Sequence, residues 1–421
     1  MTLTTDVAII GGGPGGCTAA MFLAQRGIRS IIIEKDEFPR YHIGESMTGE
    51  CGGILRRLGL GEKMIEAKHP QKQGVKVYGP SGHGHWYVPV MRRNEAGNLE
   101  AINTFSVRRS SFDRMMHDEA AARGAEMLRA EALRPLWAAD GRTMTGVRVR
   151  LPSGVEEDVL ARVTLDITGQ KTFFAHQKVC SEKVPGRYDK QVAVFSHVAN
   201  PIRDDGSSRE NHPDNTLIFY KGKFHWSWFI PLDHETVSVG VVAPGAYFAA
   251  QKESKADYLR RELRELNPEL ARRVVDNALT EEARAIPNSS YHSRSFTGPG
   301  WMCIGDTHRF IDPIFSFGLF VSMKEAEEAV PVIARYLGSE QVGPGNPFQA
   351  HMERLERGLD LTQDLIDGFW ENPLGFAHLL HRGTHQDDIT DLFAGRIYME
   401  EPSGGVLALR KLAQAGLAKA G

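Results

Sequence analysis

The stretch VAIIGGGPGG at residues 7–16 decides the fold. Its four apolar residues predict a buried strand, its glycines a tight turn, and the apolar pattern up to residue 24 a helix that follows. Glycines in such a turn let the backbone approach a pyrophosphate, while the helix N-terminus supplies N–H groups and a positive dipole end. An acid after the next strand is placed to hold a ribose hydroxyl. We therefore predict a dinucleotide site that includes Gly11, Gly13, Pro14, Gly16 and Glu34.

The composition is that of an ordinary globular protein. The chain has 421 residues, of which 41% are hydrophobic and 24% charged, enough to bury more than one core. Lys and Arg number 50 against 53 Asp and Glu, so we expect neither nucleic acid nor a membrane as a partner. The four cysteines form no CxxC pair, and the first residues lack the apolar run of a signal peptide. These features favour the reducing cytoplasm.

A second glycine signal lies far along the chain, where Gly305 and Asp306 follow an apolar strand. The first fingerprint fits both NAD and FAD, but a flavin spans more protein than one strand–helix–strand unit. An Asp at a strand end suits the ribityl chain, and a helix starting near Gly318 would point its dipole at the flavin ring. A plain strand-to-helix turn is the alternative. The two signals together favour FAD.

Several segments resemble the flavin-dependent halogenases: EKDEFPRYHIGES at 34–46, WSWFIP at 226–231, GD leading to FIDP at 305–313, and FWENP at 369–373. The wider relatives are aromatic hydroxylases and geranylgeranyl reductases. The resemblance implies an enzyme that receives reduced FAD from a separate flavin reductase and uses O2 and chloride or bromide to halogenate an electron-rich ring. The implied ring is a phenol or pyrrole, free or bound to a carrier protein, because tryptophan halogenases carry Glu where this chain has Phe315.

The resemblance runs from residue 1 to about residue 373 and implies an α/β fold of the FAD monooxygenase type. The period-two pattern of residues 188–242 independently predicts an antiparallel sheet. The predicted parts are a discontinuous GxGxxG FAD-binding domain (1–80, 104–175 and 295–340), an antiparallel-sheet substrate domain (81–103 and 176–294) and a helical C-terminal segment (341–421).

The tryptophan motif can be interpreted on its own. On a strand, Trp226, Trp228 and Ile230 share one face, and Pro231 ends the run. Large aromatics are also common on any buried sheet face. The resemblance implies that these four residues wall off the flavin, so that an organic substrate does not reach the oxidant directly.

Lys72, in the segment HPQKQGV at residues 69–75, is the candidate catalytic residue. Its place after the GES segment and before an alternating strand matches the halogenase lysine, and the resemblance implies that it receives hypohalous acid. A dry pocket lowers the pKa of a lysine and frees its amine to donate a hydrogen bond or to be chlorinated. A solvated surface lysine is the alternative, and Lys76 competes for the role.

The turn DPIFSFG at residues 312–318 is the candidate halide site. Successive backbone N–H groups before a helix form a nest that suits an anion. We assign the halide to Ser316, Phe317 and Gly318. Related enzymes usually have a small hydroxylated residue where Phe317 stands, and this chain departs from them at that position.

The resemblance also implies further flavin contacts, from Lys35, Arg40, Ser46 and Arg109. A helix N-cap at residue 110 or 111 is compatible with that role of Arg109. Thr168 stands where single-component hydroxylases carry an Asp associated with nicotinamide use. Its presence favours an enzyme fed by a separate reductase.

Three histidines, His378, His381 and His385, have the spacing of one helix face. A solvated or half-buried face is commoner than a metal site, and we predict no metal. Three rival functions remain open. A flavin monooxygenase would oxidise NAD(P)H alone, a geranylgeranyl-reductase-like enzyme would not need Lys72, and a flavin-binding protein without turnover would be indifferent to its loss.

Overall fold

The computed structural model describes residues 2–188, 190–274, 278–339, 345–381 and 384–420. The strands of these residues, in chain order, are β1 (Thr2–Ile10), β2 (Ser30–Glu34), β3 (Gln71–Lys72), β4 (Gly74–Tyr78), β5 (His85–Pro89), β6 (Met91–Arg93), β7 (Leu99–Ala101), β8 (Thr104–Phe105), β9 (Glu126–Arg129), β10 (Glu131–Trp137), β11 (Met144–Arg150), β12 (Glu156–Asp166), β13 (Val184–Pro185), β14 (Gln191–Ala199), β15 (Thr216–Gly222), β16 (His225–Pro231), β17 (Thr236–Pro244), β18 (Arg284–Asn288), β19 (Tyr291–His292), β20 (Thr297–Gly298), β21 (Trp301–Cys303) and β22 (Arg309–Phe310).

The helices of the same residues connect and cover these strands. They are α1 (Pro14–Ala24), α2 (Gly49–Arg57), α3 (Gly61–Glu66), α4 (Arg109–Ala122), α5 (Phe173–His176), α6 (Gly245–Ala250), α7 (Lys255–Glu265), α8 (Pro268–Val274), α9 (Phe317–Gly338), α10 (Gln349–Glu371), α11 (Pro373–His381), α12 (Gln386–Ala394) and α13 (Gly404–Ala420). Short 3-10 turns cover Gly169–Lys171 and Gly305–Thr307.

The first layer is a largely parallel sheet built around β1. Its strand order is β10-β11-β12-β1-β2-β9, and β21 adds to it beside β12. Strand β1 pairs in parallel with β2 and β12, and β12 with β21. The apolar runs of β1 and β2 are buried, as is usual for parallel strands covered on both faces. The pairing of Ile10 with Asp166, and of Asp166 with Cys303, brings the two glycine turns to one edge of the sheet.

The second layer is a seven-stranded sheet of order β18-β14-β17-β16-β15-β4-β5. All neighbours are antiparallel except β15 and β4, which run parallel. One face packs into the large core shared with the parallel sheet, and the other forms a separate core that includes apolar residues of α7 and α8. Residues 74–89 thus supply two strands of this sheet, and the division of the chain at residue 80 stays a prediction.

Helices α10 to α13 form the C-terminal part, in which α10 packs along α13. Apolar side chains of α10, α11 and α12 join the large core, so these helices are not an independent unit. The predicted α/β fold is confirmed by this arrangement. The predicted segment 341–421 includes residues outside the described part. None of the helices within that part has the length and apolar character needed to cross a membrane.

Candidate active site

The first glycine turn is packed too tightly for a side chain at Gly11 or Gly16. Gly11 has a φ of +109°, and a Cβ there would lie 2.5 Å from the carbonyl oxygen of Ile167. A Cβ on Gly16 would lie 2.0 Å from the carbonyl oxygen of Gly11. Helix α1 begins with Pro14 and has no side-chain cap, so its first N–H groups face the turn. This is the geometry a pyrophosphate requires.

Glu34 organises the turn from the end of β2. Its Oε2 accepts a hydrogen bond from the Gly12 N–H at 2.8 Å, and its Oε1 one from the Asp36 N–H at 2.9 Å. Arg40 Nη2 lies 3.8 Å from Glu34 Oε2, and the buried Nε of Arg40 has no partner among the described residues. An orphaned guanidinium N–H beside an uncapped helix suits an anionic ligand. Lys35 is exposed.

The Arg109 guanidinium is largely used by the protein itself. Its Nε and Nη2 donate to Asp113 at 2.6 and 2.9 Å, a bidentate pair one helical turn along α4. Its Nη1 donates to the carbonyl oxygens of Ile43 and Gly44 at 2.7 and 3.1 Å. Arg109 therefore fastens the loop that leads to Ser46, and its contact with flavin stays a prediction.

Asp306 lies in the second glycine turn, at the same sheet edge. The Gly305 N–H donates to the buried carboxylate of Glu325 at 2.6 Å. Burial, and then the Glu325 charge, raise the pKa of Asp306 to about 7. A carboxyl group with a pKa near neutral pH can accept a hydrogen bond from a hydroxylated chain when it is ionised. It can donate one to that chain when it is protonated.

Helix α9 presents a second uncapped N-terminus. Ser316 precedes it in a left-handed conformation with a φ of 60°, and it makes no side-chain cap. A Cβ on Gly318 would meet nothing within 4 Å, so open space faces this turn of the helix. Phe317 is buried, with its ring 6.3 Å from that of Phe320. Two uncapped helices, the glycine cradle and the orphaned Arg40 Nε fit FAD.

The tryptophan strand has the predicted two-sided pattern. Trp226, Trp228 and Ile230 are buried in the large core, while Phe229 belongs to the core on the other face. The two indole rings lie 5.9 Å apart, and Trp228 Nε1 donates to Ser238 Oγ at 3.1 Å.

An aromatic row continues from this strand. The Phe195 ring lies 6.0 Å from that of Trp228 and stacks on Tyr41 at 6.1 Å. Tyr41 comes from the loop after β2, which belongs to the parallel sheet. The row therefore spans from the seven-stranded sheet to the dinucleotide side of the molecule.

Lys72 is buried, with only 3% of its surface exposed. Its Nζ donates to Ser46 Oγ at 2.8 Å and to the Met47 carbonyl oxygen at 2.9 Å, both neutral acceptors. Burial without a carboxylate partner lowers the pKa of Lys72 to about 7, and the nearby Cys51 thiol opposes this only in part. A large fraction of the amine is therefore neutral near pH 7.

Lys76 is placed quite differently. It lies on β4, and its Nζ pairs with Asp204 at 3.0 Å and bonds Asn211 at 2.7 Å. Its neighbours Val75 and Val77 point to the opposite face, because side chains alternate along a strand. This ammonium is committed to an ion pair away from Lys72.

A mostly apolar cavity opens beside Lys72. Its walls come from six separate parts of the chain, and its lining residues are Met47, Thr48, Gly49, Lys72, Val75, Val88, Pro89, Val90, Thr216, Ile218, Ile314, Phe315, Ser316, Phe393 and Ala394. Val75 pairs with both Val88 and Thr216, so these three side chains share one sheet face. Ile218 pairs with Trp228 across β15 and β16, which places the tryptophan strand next to this cavity.

Sequence reasoning missed most of this cavity. Phe315 packs against Phe369 at 5.3 Å and Phe393 at 4.8 Å, and Trp86 lies 5.9 Å from Phe369. Phe369 falls within the FWENP segment, but nothing in the sequence marks Phe393. Phe317 does not line the cavity, whereas Ser316 and Phe315 do.

The structure also shows the surroundings of Thr168 and of the three histidines noted in the sequence. Thr168 donates from both its N–H and its hydroxyl to Asp166, whose pKa is raised to about 6 by burial.

Helix α11 ends at His381 and His385 precedes α12, so the three histidines do not share one helix. Over the described ranges, no cluster of three His, Cys, Asp or Glu side chains is positioned to bind a metal ion.

Comparison with known proteins first defines the class. The FAD binding domain family matches residues 4–357, which include both glycine turns, Lys72 and the tryptophan strand. The cradle described above and this match agree that the chain is a flavoprotein that binds FAD.

The relatives define the family. A 1H-pyrrole-2-carbonyl-[peptidyl-carrier protein] brominase of Pseudoalteromonas luteoviolacea (strain 2ta16) is 32% identical over 394 residues, covering 93% of this chain and 91% of the relative. The solved structure of the flavin-dependent brominase Bmp2 has a TM-score of 0.90 at 32% identity, covering 99% of this chain and 100% of that one. The myxobacterial chondrochloren halogenase CndH has a TM-score of 0.78 at 26% identity, with 98% and 97% covered. The chain belongs to the flavin-dependent halogenases, within the FAD-dependent aromatic hydroxylase superfamily.

Membership confirms the predicted enzyme class and its FAD cofactor, with halide and O2 as the co-substrates general to the family. It also favours halogenation over the monooxygenase, reductase and binding-protein alternatives. The roles of individual residues remain predictions.

Proposed function

We propose that this enzyme halogenates a pyrrole-2-carbonyl group carried by a carrier protein, and that Lys72 transfers the halogen. The observation that carries the proposal is the buried Lys72 amine at the wall of an apolar cavity. Two relatives support the acceptor: the brominase above, and a 1H-pyrrole-2-carbonyl-[peptidyl-carrier protein] chlorinase of Pseudomonas fluorescens that is 24% identical over 414 residues.

The lining of the cavity suits a flat, electron-rich ring. Val75 and Val88 cover one side of the space, and Phe315 and Phe393 another. Apolar and aromatic walls with few polar groups are typical of small-molecule sites, and the polar groups fix orientation. Here those groups are the Lys72 amine and the hydroxyls of Thr48, Thr216 and Ser316.

Lys72 supplies the chemistry on the acceptor side. Reduced FAD, when bound, supplies the two-electron reaction with O2 that oxidises the halide. The neutral Lys72 amine then gains a nitrogen–halogen bond from hypohalous acid and releases water. The acceptor carbon takes the halogen, and its hydrogen leaves as a proton as the amine is restored. The Ser46 hydroxyl and the Met47 carbonyl accept the two N–H groups of the neutral amine and hold it in place for the first step, and the one N–H of the halogenated amine keeps one of these bonds in the second.

The remaining predicted residues have separate tasks. Trp226, Trp228, Ile230 and Pro231 exclude the acceptor from the flavin side. The uncapped start of α9, with Ser316, Phe317 and Gly318, holds the halide through backbone N–H groups. Because Phe317 packs toward Phe320, its bulk does not oppose this role.

Two cations on elements adjoining the cavity favour a carrier-bound substrate. Gly49 and Val90 line the cavity, and α2 and β6, which continue from them, place Arg56 and Arg92 near each other. Arg56 is exposed and makes no ion pair with a carboxylate of the described residues, whereas Arg92 pairs with Glu100. Two neighbouring guanidinium groups suit the phosphodiester of a carrier arm.

A separate flavin reductase is the proposed source of reduced FAD, in keeping with Thr168 in place of an acid. We further propose that the enzyme works in the cytoplasm. Its four cysteines are free and buried, which suits a reducing compartment.

The test is an assay with FAD, a flavin reductase, O2 and either bromide or chloride. Pyrrole-2-carbonyl carrier protein and free pyrrole-2-carboxylic acid are supplied in parallel reactions, and the products are identified and quantified by mass spectrometry. We expect halogenated pyrrole on the carrier and much less from the free acid. Halogenation of the free acid at an equal rate would contradict the carrier-bound substrate, and halogenation of phenols alone would contradict the pyrrole.

A further inference from the structure

A buried histidine links two carboxylates on the flavin side of the seven-stranded sheet. His197 lies on β14 and shares a face with Phe195, the middle ring of the aromatic row. Its Nε2 lies 3.2 Å from Glu45 Oε1, and its Nδ1 lies 3.0 Å from Glu281 Oε1. The imidazole is therefore within hydrogen-bond distance of both carboxylates, one at each ring nitrogen.

Burial increases from Glu281 through His197 to Glu45. The side chain of Glu281 is 33% exposed, that of His197 only 3%, and that of Glu45 only 2%. The second oxygen of Glu45, Oε2, is buried and has no partner among the residues described. Glu45 directly precedes Ser46, whose hydroxyl bonds the Lys72 amine at 2.8 Å. These three groups thus lead from solvent at Glu281 to the buried Oε2 of Glu45.

The histidine has a partner in either protonation state. When Nδ1 carries a proton, it donates to Glu281; when it does not, it accepts from Arg108 Nη1 at 3.3 Å. Arg108 is held in place by Asp233, which accepts from its Nη2 at 2.8 Å. A group that keeps a hydrogen bond both before and after it loses a proton is suited to proton transfer.

Tyr41 and Arg284 complete the surroundings. The Tyr41 ring lies 6.1 Å from the His197 ring, and the Arg284 guanidinium lies 3.6 Å above the Tyr41 ring. Burial and the Glu45 charge raise the pKa of Tyr41 well above its ordinary value, so its hydroxyl stays protonated.

The halogenase reaction needs such a path. Balanced for one turnover, reduced FAD, O2, halide, an aromatic C–H and one proton give oxidised FAD, a carbon–halogen bond and two waters. One proton must therefore enter from solvent in each cycle, although tryptophans and apolar side chains enclose the reacting groups.

We propose that Glu281, His197 and Glu45 form a proton relay that carries this proton from solvent to the flavin side of the sheet. Glu281 takes up the proton, His197 receives it at Nδ1 and releases another from Nε2, and Glu45 passes it on through Oε2. Because this relay serves the reaction of the whole family, it does not depend on the acceptor proposed above.

The test measures flavin reoxidation, which needs no organic acceptor. Reduced FAD bound to the enzyme is mixed with O2 and bromide in a stopped-flow instrument between pH 6 and pH 9, in H2O and in D2O. The variants are Glu45→Gln, His197→Asn and Glu281→Gln. His225→Asn is the matched control, because His225 Nε2 pairs with Glu262 at 2.9 Å on the other face of the same sheet.

We expect Glu45→Gln and His197→Asn to slow halide-dependent reoxidation by about tenfold or more at pH 8, the low end of what a proton-transfer group contributes. The loss of reoxidation rate should become smaller toward pH 6, where the proton concentration is higher. The ratio of the rates in H2O and D2O should change with pH in the same variants. His225→Asn should keep the native rate and pH profile. Native pH profiles in the Glu45 and His197 variants would overturn the relay.

Two further readouts separate a relay from a structural role. The dissociation constant of FAD should stay within about twofold of the native value, and a rise above tenfold would assign Glu45 to flavin binding instead. In the FAD-free protein, the 15N resonances of the His197 ring should change when Glu45 or Glu281 is replaced, and unchanged resonances would contradict the proposal. If the buried variants fail to fold, the pH profile of the half-buried Glu281→Gln decides.

Discussion

The Lys72 Nζ lies 2.8 Å from the Ser46 hydroxyl, and this contact joins the proposed catalytic lysine to the loop between β2 and α2. Ser46 Oγ also lies 2.9 Å from Thr216 Oγ1, a residue of the seven-stranded sheet. One serine hydroxyl thus connects the loop after β2, the lysine and the cavity wall. The position of the amine depends on all three.

Replacing Ser46 should disturb that position without emptying the site. Ser46→Ala leaves Lys72 with the Met47 carbonyl as its remaining hydrogen-bond partner. We expect kcat for halogenation to fall by up to roughly tenfold, because a hydrogen bond between neutral groups contributes about 0.5–1.5 kcal/mol. Thr216→Ser, which keeps the second hydroxyl, is the control and should stay near the native rate. A native kcat in Ser46→Ala would mean that the serine does not position the amine.

The lowered pKa of Lys72 predicts how its replacement affects stability with pH. In the folded protein the pKa is about 7, against 10.5 for an ordinary lysine. Below pH 7 the buried amine is protonated in the folded state at a full desolvation cost; between pH 7 and 10.5 the unfolded chain binds more protons, so this cost declines. Lys72→Met should therefore raise the melting temperature relative to the native protein, most at pH 6.5 and least at pH 9.5.

Thermal unfolding of both proteins across that pH range measures the difference. A gap in melting temperature that does not depend on pH would show that Lys72 has an ordinary pKa. A gap that widens as the pH rises would show that the charged form is stabilised in the fold.

Gly240 leaves the space that the Trp228 ring occupies. It pairs with Trp228 across β16 and β17, and a Cβ on Gly240 would lie 2.3 Å from the Trp228 ring and 2.6 Å from Phe195 Cβ. Gly240→Ala should displace the indole and lower the yield of halogenated product per reduced FAD consumed. Gly222→Ala is the control, because a Cβ there meets nothing within 4 Å.

The measurement is the ratio of halogenated acceptor to FAD oxidised, with released hypohalous acid trapped in solution. An unchanged ratio in a folded Gly240→Ala variant would contradict a wall function for Trp228. Overpacking of this kind costs typically 1–3 kcal/mol, so the thermal stability of the variant is measured alongside.

The dinucleotide cradle could be predicted because consecutive residues dictate it. The strand, the glycines and the helix of residues 7–16 are set by local apolar periodicity and backbone sterics. The two-faced tryptophan strand follows from period-two alternation, and the same rule separates Lys76 from Val75. The Arg109–Asp113 pair has the i,i+4 spacing that favours such a bond on a helix.

The cavity could not be predicted in this way. Val75, Val88, Thr216 and Phe393 meet only because β4 pairs with β5 and β15, and because α12 packs over them. Such contacts depend on sheet register and helix docking, and a single sequence carries no signal for either. The hydrogen bonds of Lys72 with Ser46 and Met47 could not be predicted for the same reason.

The central claim is that Lys72 carries the halogen to the acceptor. The direct measurement is a single-turnover reaction of Lys72→Met with reduced FAD, O2, bromide and pyrrole-2-carbonyl carrier protein, with Lys76→Met as the matched buried-lysine control. We expect Lys72→Met to bind and reoxidise FAD at near the native rate while brominated pyrrole falls about 100-fold or more, the size of effect typical of a group that takes part in the chemical step. Folded Lys76→Met should retain bromination. Brominated pyrrole formed by Lys72→Met at the native rate would contradict the account.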